Sequence, residues 1–156
     1  MTASVQSLLL KTEAETAALA TRFAARAQRG DCFLLSGEIG AGKSAFARAF
    51  IRARLRRQED VPSPTFTIVQ TYDDTDGDIW HCDLYRLTDV DEVIELGLDD
   101  AFETAICLIE WPDRLADMAP PDAISMDFAA LDTQHSVAVT IPPVKAAQFR
   151  EALNDD

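Results

Sequence analysis

No stretch of this 156-residue chain is apolar for anything near the ~20 residues that cross a bilayer. Its opening, MTASVQSLLLKTEAE, has no basic run, and its apolar part is only Leu8 to Leu10. No signal peptide is expected, and a cytoplasmic location with no membrane association is. Cysteine is scarce: Cys32, Cys82 and Cys107 are odd in number, form no CxxC pair and each lie in an apolar stretch. That pattern excludes a disulfide framework and suits buried thiols in a reducing compartment. The two histidines, His81 and His135, have no zinc-like spacing. Basic residues are few: 14 Lys and Arg stand against 27 Asp and Glu, for a net charge of -13. Most of such a surface repels a phosphate backbone, so contact with tRNA or any nucleic acid is expected only indirectly, through a partner. The one basic run is Arg48, Arg52, Arg54, Arg56 and Arg57. It reads as a water-facing helix end that complements the helix dipole.

What remains is the composition of a folded protein, 47% hydrophobic and 26% charged. The length predicts a single domain over 1–156. Thr12 followed by Glu15 is a capping box, and Leu19, Phe23 and Ala27 recur at helical spacing toward a stop at Gly30. DCFLLS reads as a buried strand and SAFARAFIRARLRR as a helix. After a proline-rich break, TFTIVQTY and IWHCD read as two strands joined by a turn at Asp76-Gly77. Thr88 to Gly97 reads as a short acidic helix stopped by glycine. AICLIE is a further buried strand, AISMDFAAL and HSVAVTIP are two late strands, and 143–153 is a terminal helix. The interleaving predicts an α/β fold with a mixed sheet, flanking helices and some antiparallel strands.

GEIGAGKS, Gly37 to Ser44, matches the phosphate-loop pattern G-x-x-x-x-G-K-[ST] at every fixed position, with a strand before it and a helix after. Glycines at 37, 40 and 42 let successive N–H groups turn toward phosphate oxygens, and Glu38, Ile39 and Ala41 contribute backbone to the same nest. The helix adds the positive end of its dipole. Lys43 reaches the β- and γ-phosphates, and the Ser44 hydroxyl is a Mg²⁺ ligand. No Asn-Lys-x-Asp segment is present to read guanine, so ATP is the expected nucleotide. Such a site needs a second acid at a neighbouring strand end, and two apolar segments end in one: IWHCD at Asp83 and AICLIE at Glu110. VPSPTFTIV is a restricted loop whose Ser63 and Thr65 can sense a γ-phosphate.

GEIGAGKS, SPTFTIV, HCDLYRL and LIEWP, in that order, together resemble the bacterial TsaE (YjeE) family. The resemblance covers Thr12 to Pro112, while the stretch beyond matches only in its strand-rich character. It implies a P-loop NTPase-type sheet and a Mg²⁺-dependent ATPase of tRNA threonylcarbamoyladenosine biosynthesis. That ATPase would work with the protein partners of the tRNA threonylcarbamoyl transferase complex and reset them between turnovers. It assigns Gly37 to Ser44 to the phosphates, Ser44 and Glu110 to Mg²⁺, Thr65 to the switch loop and Asp83 to catalytic support. It also puts Thr12 and Glu13, at the start of the first helix, near the adenine. Serine at 44 replaces the usual threonine and keeps the hydroxyl. Two other functions fit a phosphate loop. A small-molecule kinase would conscript Arg86 and Arg114, but no lid-like segment stands out. A non-catalytic nucleotide-gated module would not need Lys43, Ser44, Asp83 and Glu110 together.

Overall fold

Strands with unbroken apolar runs need cover on both faces, and the central strands of this chain have it. The computed structural model describes residues 4–38, 40–56, 69–74 and 77–153. They form a seven-stranded sheet: β1 (Ser4–Leu10), β2 (Cys32–Gly37), β3 (Val69–Tyr72), β4 (Ile79–Asp83), β5 (Ile106–Glu110), β6 (Ile124–Ala130) and β7 (His135–Ile141). The strand order is β1-β7-β6-β2-β5-β4-β3. Strands β6, β2, β5 and β4 run parallel in the middle. Antiparallel strands complete both sides, β7 and β1 beyond β6 and β3 beyond β4. This is the expected mixed α/β sheet.

Side chains alternate between two cores, as the two-residue period of a strand dictates. On one face Phe33, Leu35, Ile106 and Leu108 pack against α1 (Glu13–Arg26) and α2 (Lys43–Leu55). Phe149, near the C-terminus, stacks on Phe23 at 5.4 Å and meets Phe33 edge-on at 5.7 Å. On the other face Cys32, Cys82, Cys107 and Ile109 pack with residues of α3 (Asp91–Glu95) and α4 (Leu98–Thr104). All three cysteines are buried free thiols, and burial raises their pKa values, that of Cys107 to about 12.

Several elements differ from expectation. Strand β1 carries only a short apolar run, yet it pairs with β7 along its whole length, because an edge strand needs one covered face rather than an apolar core sequence. Helix α1 is capped by Thr12, whose hydroxyl accepts the Glu15 N–H at 3.1 Å, but it ends at Arg26. Gly30 instead turns the chain into β2 with φ 95° and donates its N–H to the Ala105 carbonyl. Gly97 does not merely stop α3. At φ 83° it lets a second helix, α4, start at once. The terminal helix is one α-helical turn, α5 (Ala146–Phe149), between two 3₁₀ segments.

The arginine run is not uniformly solvated either. Arg54 is partly buried, pairs with Asp74 at 2.6 Å and donates to the carbonyls of Ala24 and Ala27 at 2.9 Å each. It closes the C-terminal end of α1, where orphan carbonyls need donors.

Candidate functional site

The chain leaves β2 at Gly37 and enters α2 at Lys43, so the glycine loop joins the central strand to a helix N-terminus. Sterics force glycine at its start. Gly37 has φ 132°, and a Cβ there would lie 2.3 Å from the Phe128 carbonyl oxygen of β6. Gly42 ends the loop at φ 109°, beneath the His135 ring. The first N–H groups of α2 have no partner within the helix and point out of its end. They face a cavity of about 600 Å³ at the carboxyl ends of the parallel strands.

Lys43 is only 5% exposed. Its Nζ donates to the Gly37 carbonyl at 2.6 Å and sits 4.1 Å from the centre of the Trp111 ring. Among the described residues no carboxylate is within ion-pair distance of it. Burial therefore lowers its pKa, while Glu110, Asp83 and Asp113 pull it partly back up. A buried ammonium held by a carbonyl and an aromatic face keeps capacity for an anion. Trp111 follows Glu110 in the left-handed region at φ 59°, a costly conformation for a non-glycine residue. Tyr85 packs on it at 4.9 Å, and Pro112 begins a 3₁₀ turn, so the ring is braced over Lys43.

Glu110 ends β5 and is 3% exposed. Ser44 donates its hydroxyl to Glu110 Oε1 at 3.3 Å, and His81 Nε2 lies 2.7 Å from Oε2. Asp83 is in register with Glu110 on the adjacent parallel strand. Its Oδ1 accepts the Tyr85 N–H at 3.0 Å. Among the described residues no cluster of three or more His, Cys, Asp and Glu could cage a metal. The hydroxyl and carboxylate of Ser44 and Glu110 fit instead a cation that keeps most of its waters and takes ligand oxygens, as Mg²⁺ does.

Of the residues singled out in the sequence, Gly40, Gly42, Lys43, Ser44, Asp83, Glu110 and Glu13 line this one cavity. Gly37, Glu38 and Ala41 lie in the loop without lining it, and Thr12 spends its hydroxyl on the helix cap. Ile39 and the switch residues Ser63 and Thr65 lie outside the described residues. The cavity also takes Thr16, Arg48, Tyr85, Arg86, Trp111 and His135. Thr16 was legible as one turn beyond the α1 cap, and Arg48 as one turn beyond Ser44. Nothing local marks His135, which only the β6–β7 hairpin brings over the glycine loop.

The chain is similar to known proteins in sequence and fold. The profile described as "Threonylcarbamoyl adenosine biosynthesis protein TsaE" matches residues 10–137. The chain belongs to the TsaE family. A TsaE relative from Rickettsia bellii, named a tRNA threonylcarbamoyladenosine biosynthesis protein, is 37% identical over 124 residues, 80% of this chain and 86% of the relative. The TsaE protein of the same name from Bacillus subtilis is 38% identical over 113 residues, 72% of this chain and 70% of that one. The crystal structure of Bacillus subtilis YdiB superposes with a TM-score of 0.80 at 26% identity, covering 97% of this chain and 95% of that one. The TsaE match extends past Pro112 through β6 and into β7, the strands that supply Phe128 and His135 to the site.

Proposed function

We propose that this TsaE-family chain binds ATP with Mg²⁺ in the cavity, hydrolyses it, and serves tRNA threonylcarbamoyladenosine biosynthesis by acting on protein partners. The observation that carries this reading is the convergence of Lys43, Ser44, Asp83 and Glu110 on one cavity at a helix N-terminus. Backbone N–H groups of the glycine loop and the first turn of α2 would hold the phosphates. Lys43 would leave the Gly37 carbonyl for a phosphate oxygen, which offers the negative charge its present partners lack. Ser44 and Glu110 would hold Mg²⁺, and the metal would neutralise charge on the phosphate oxygens. With Oδ1 of Asp83 tied to the Tyr85 amide, Oδ2 is left to order a water in the cavity. Glu13 and Thr16 stand at the α1 side, where the base of the nucleotide would lie.

The net charge of -13 favours a protein partner over direct tRNA binding. Coupling would run through Ser63 to Thr65, ordered by a γ-phosphate and released after hydrolysis. No helix of the described residues is long and apolar enough to cross a membrane.

The test is phosphate release from ATP with and without Mg²⁺, with no acceptor, by the chain alone and with the partner proteins of the transferase complex. Mg²⁺-dependent release that rises with partners is expected. ADP formed without free phosphate, and only on adding a small-molecule acceptor that becomes phosphorylated, would make the protein a kinase. Tight binding with no release even with partners would make it a non-catalytic module. Partner affinity measured with a non-hydrolysable ATP analogue, with ADP and with neither should differ, and Thr65→Ala should narrow the difference.

A further inference from the structure

Two acids end adjacent strands, yet only one is clamped from behind. The Glu110 carboxylate is divided between neighbours: Oε1 faces the Ser44 hydroxyl at 3.3 Å, and Oε2 lies 2.7 Å from His81 Nε2. His81 is completely buried, and it stands on β4 two residues before Asp83, on the same face of the sheet. Its other ring nitrogen, Nδ1, is buried and has no hydrogen-bond partner among the described residues. That asymmetry fixes the ring's chemistry. Directed at a carboxylate, Nε2 is the ring nitrogen that must donate. A proton on Nδ1 instead would set two acceptors against each other at 2.7 Å and bury an N–H with nothing to receive it. The ring thus spends its one matched hydrogen bond on Glu110.

We propose that His81 is a positioning residue for metal binding. It holds Oε2 and thereby presents Oε1 of Glu110 to Mg²⁺ beside Ser44. The inference rests on the Mg²⁺–nucleotide reading above and adds a residue to it. Without the clamp the glutamate has three rotatable bonds, and fixing them on metal binding carries an entropic cost. With it, one oxygen is already aimed. Hydrogen bonds of this kind to metal-ligating side chains set ligand orientation, and their loss weakens metal binding roughly 10–100-fold.

The experiment compares His81→Leu, similar in bulk with no donor, and His81→Gln, whose amide reaches where Nε2 stood. Affinity for a non-hydrolysable ATP analogue is measured by calorimetry in Mg²⁺ and in EDTA, alongside thermal unfolding. In His81→Leu the gain in affinity given by Mg²⁺ should fall about tenfold or more, while affinity in EDTA stays within about twofold of the parent. His81→Gln should keep most of the gain. An unchanged Mg²⁺ gain in His81→Leu would overturn the proposal. So would equal impairment of the Gln and Leu proteins, or an equal loss in EDTA, either of which marks a packing role alone. Should the Leu protein fail to fold, His81→Asn replaces it, since its shorter amide stops at the Nδ1 position. Asn must then lose the gain and Gln keep it, and equal behaviour overturns the assignment. A parent protein with no Mg²⁺ gain at all overturns the reading of the site together with this inference. A parent with the gain and a Leu variant that keeps it overturns this inference alone.

Discussion

Replacing Lys43 by alanine tests the anion site with little risk to the fold. In the free protein Nζ has two partners, the Gly37 carbonyl at 2.6 Å and the Trp111 ring at 4.1 Å. A charge-assisted contact to phosphate is worth about 1.5–3 kcal/mol. Lysine must first give up its cation–π contact, worth roughly 0.5–2 kcal/mol, whereas alanine gives up nothing. Set against each other like for like, these leave a net loss on substitution of about 1 kcal/mol, roughly fivefold in Kd for ATP. Stability without nucleotide should change little, because removing the two contacts also removes a desolvated charge. Calorimetric titration of ATP reads the affinity, and thermal unfolding confirms the fold. A second signature lies in pH. Burial lowers the Lys43 pKa below its ordinary 10.5, so the folded protein releases this proton before the unfolded chain does. Stability should therefore rise as pH climbs through the folded value toward 10.5, and Lys43→Ala should lack that rise. A bound phosphate favours the ammonium, so ATP binding in that alkaline window should take up a proton, visible as a dependence of the binding heat on buffer. A folded Lys43→Ala protein with parental ATP affinity would refute the reasoning.

Glu110→Gln keeps the shape and removes the charge; phosphate release should nearly vanish and the Mg²⁺ dependence of ATP binding weaken, while binding in EDTA survives. Arg54→Ala strips a partly buried Asp74 of this partner and leaves the Ala24 and Ala27 carbonyls without that donor. Removing one half of a fully buried pair costs about 3–5 kcal/mol, and this part-buried one should lie at the lower end. The melting temperature should drop by roughly 10 °C, as thermal unfolding will read. Gly37→Ala pushes a methyl group into the Phe128 carbonyl from a backbone angle alanine avoids. A loss of about 2 kcal/mol or more is expected, and the cost should appear in denaturant unfolding even without nucleotide.

The chemistry was more legible than the architecture. Lys43, Ser44, Asp83 and Glu110 could be read because their placement follows from local rules: a glycine loop between strand and helix, and acids at the ends of apolar runs. Residues that reach the site through tertiary pairing left no such trace. His135 arrives on a hairpin, and His81 reads as one more residue in a buried strand until its diagonal position against Glu110 is known. Strand β1 carries little local signal because its partner, β7, is at the far end of the chain. Arg54 reads as solvated from its place near a helix C-terminus, but orphan carbonyls at the end of α1 draw it inward. The acidic helix at 88–97 reads as stopping at Gly97, where a left-handed residue instead opens the next helix.

The close approach of β6 to the glycine loop bears on how small a working version of this protein can be. A chain ended at Pro112 would retain GEIGAGKS, SPTFTIV, HCDLYRL and LIEWP in full. It would nevertheless lose the Phe128 backbone against which Gly37 is pressed, the Phe128 ring packed 5.7 Å from Phe46 of α2, and His135 above Gly42. The loop would then be a flexible ribbon with one wall removed. A minimal nucleotide binder cut from this scaffold must therefore extend through the β6–β7 hairpin, whose sequence carries none of those motifs.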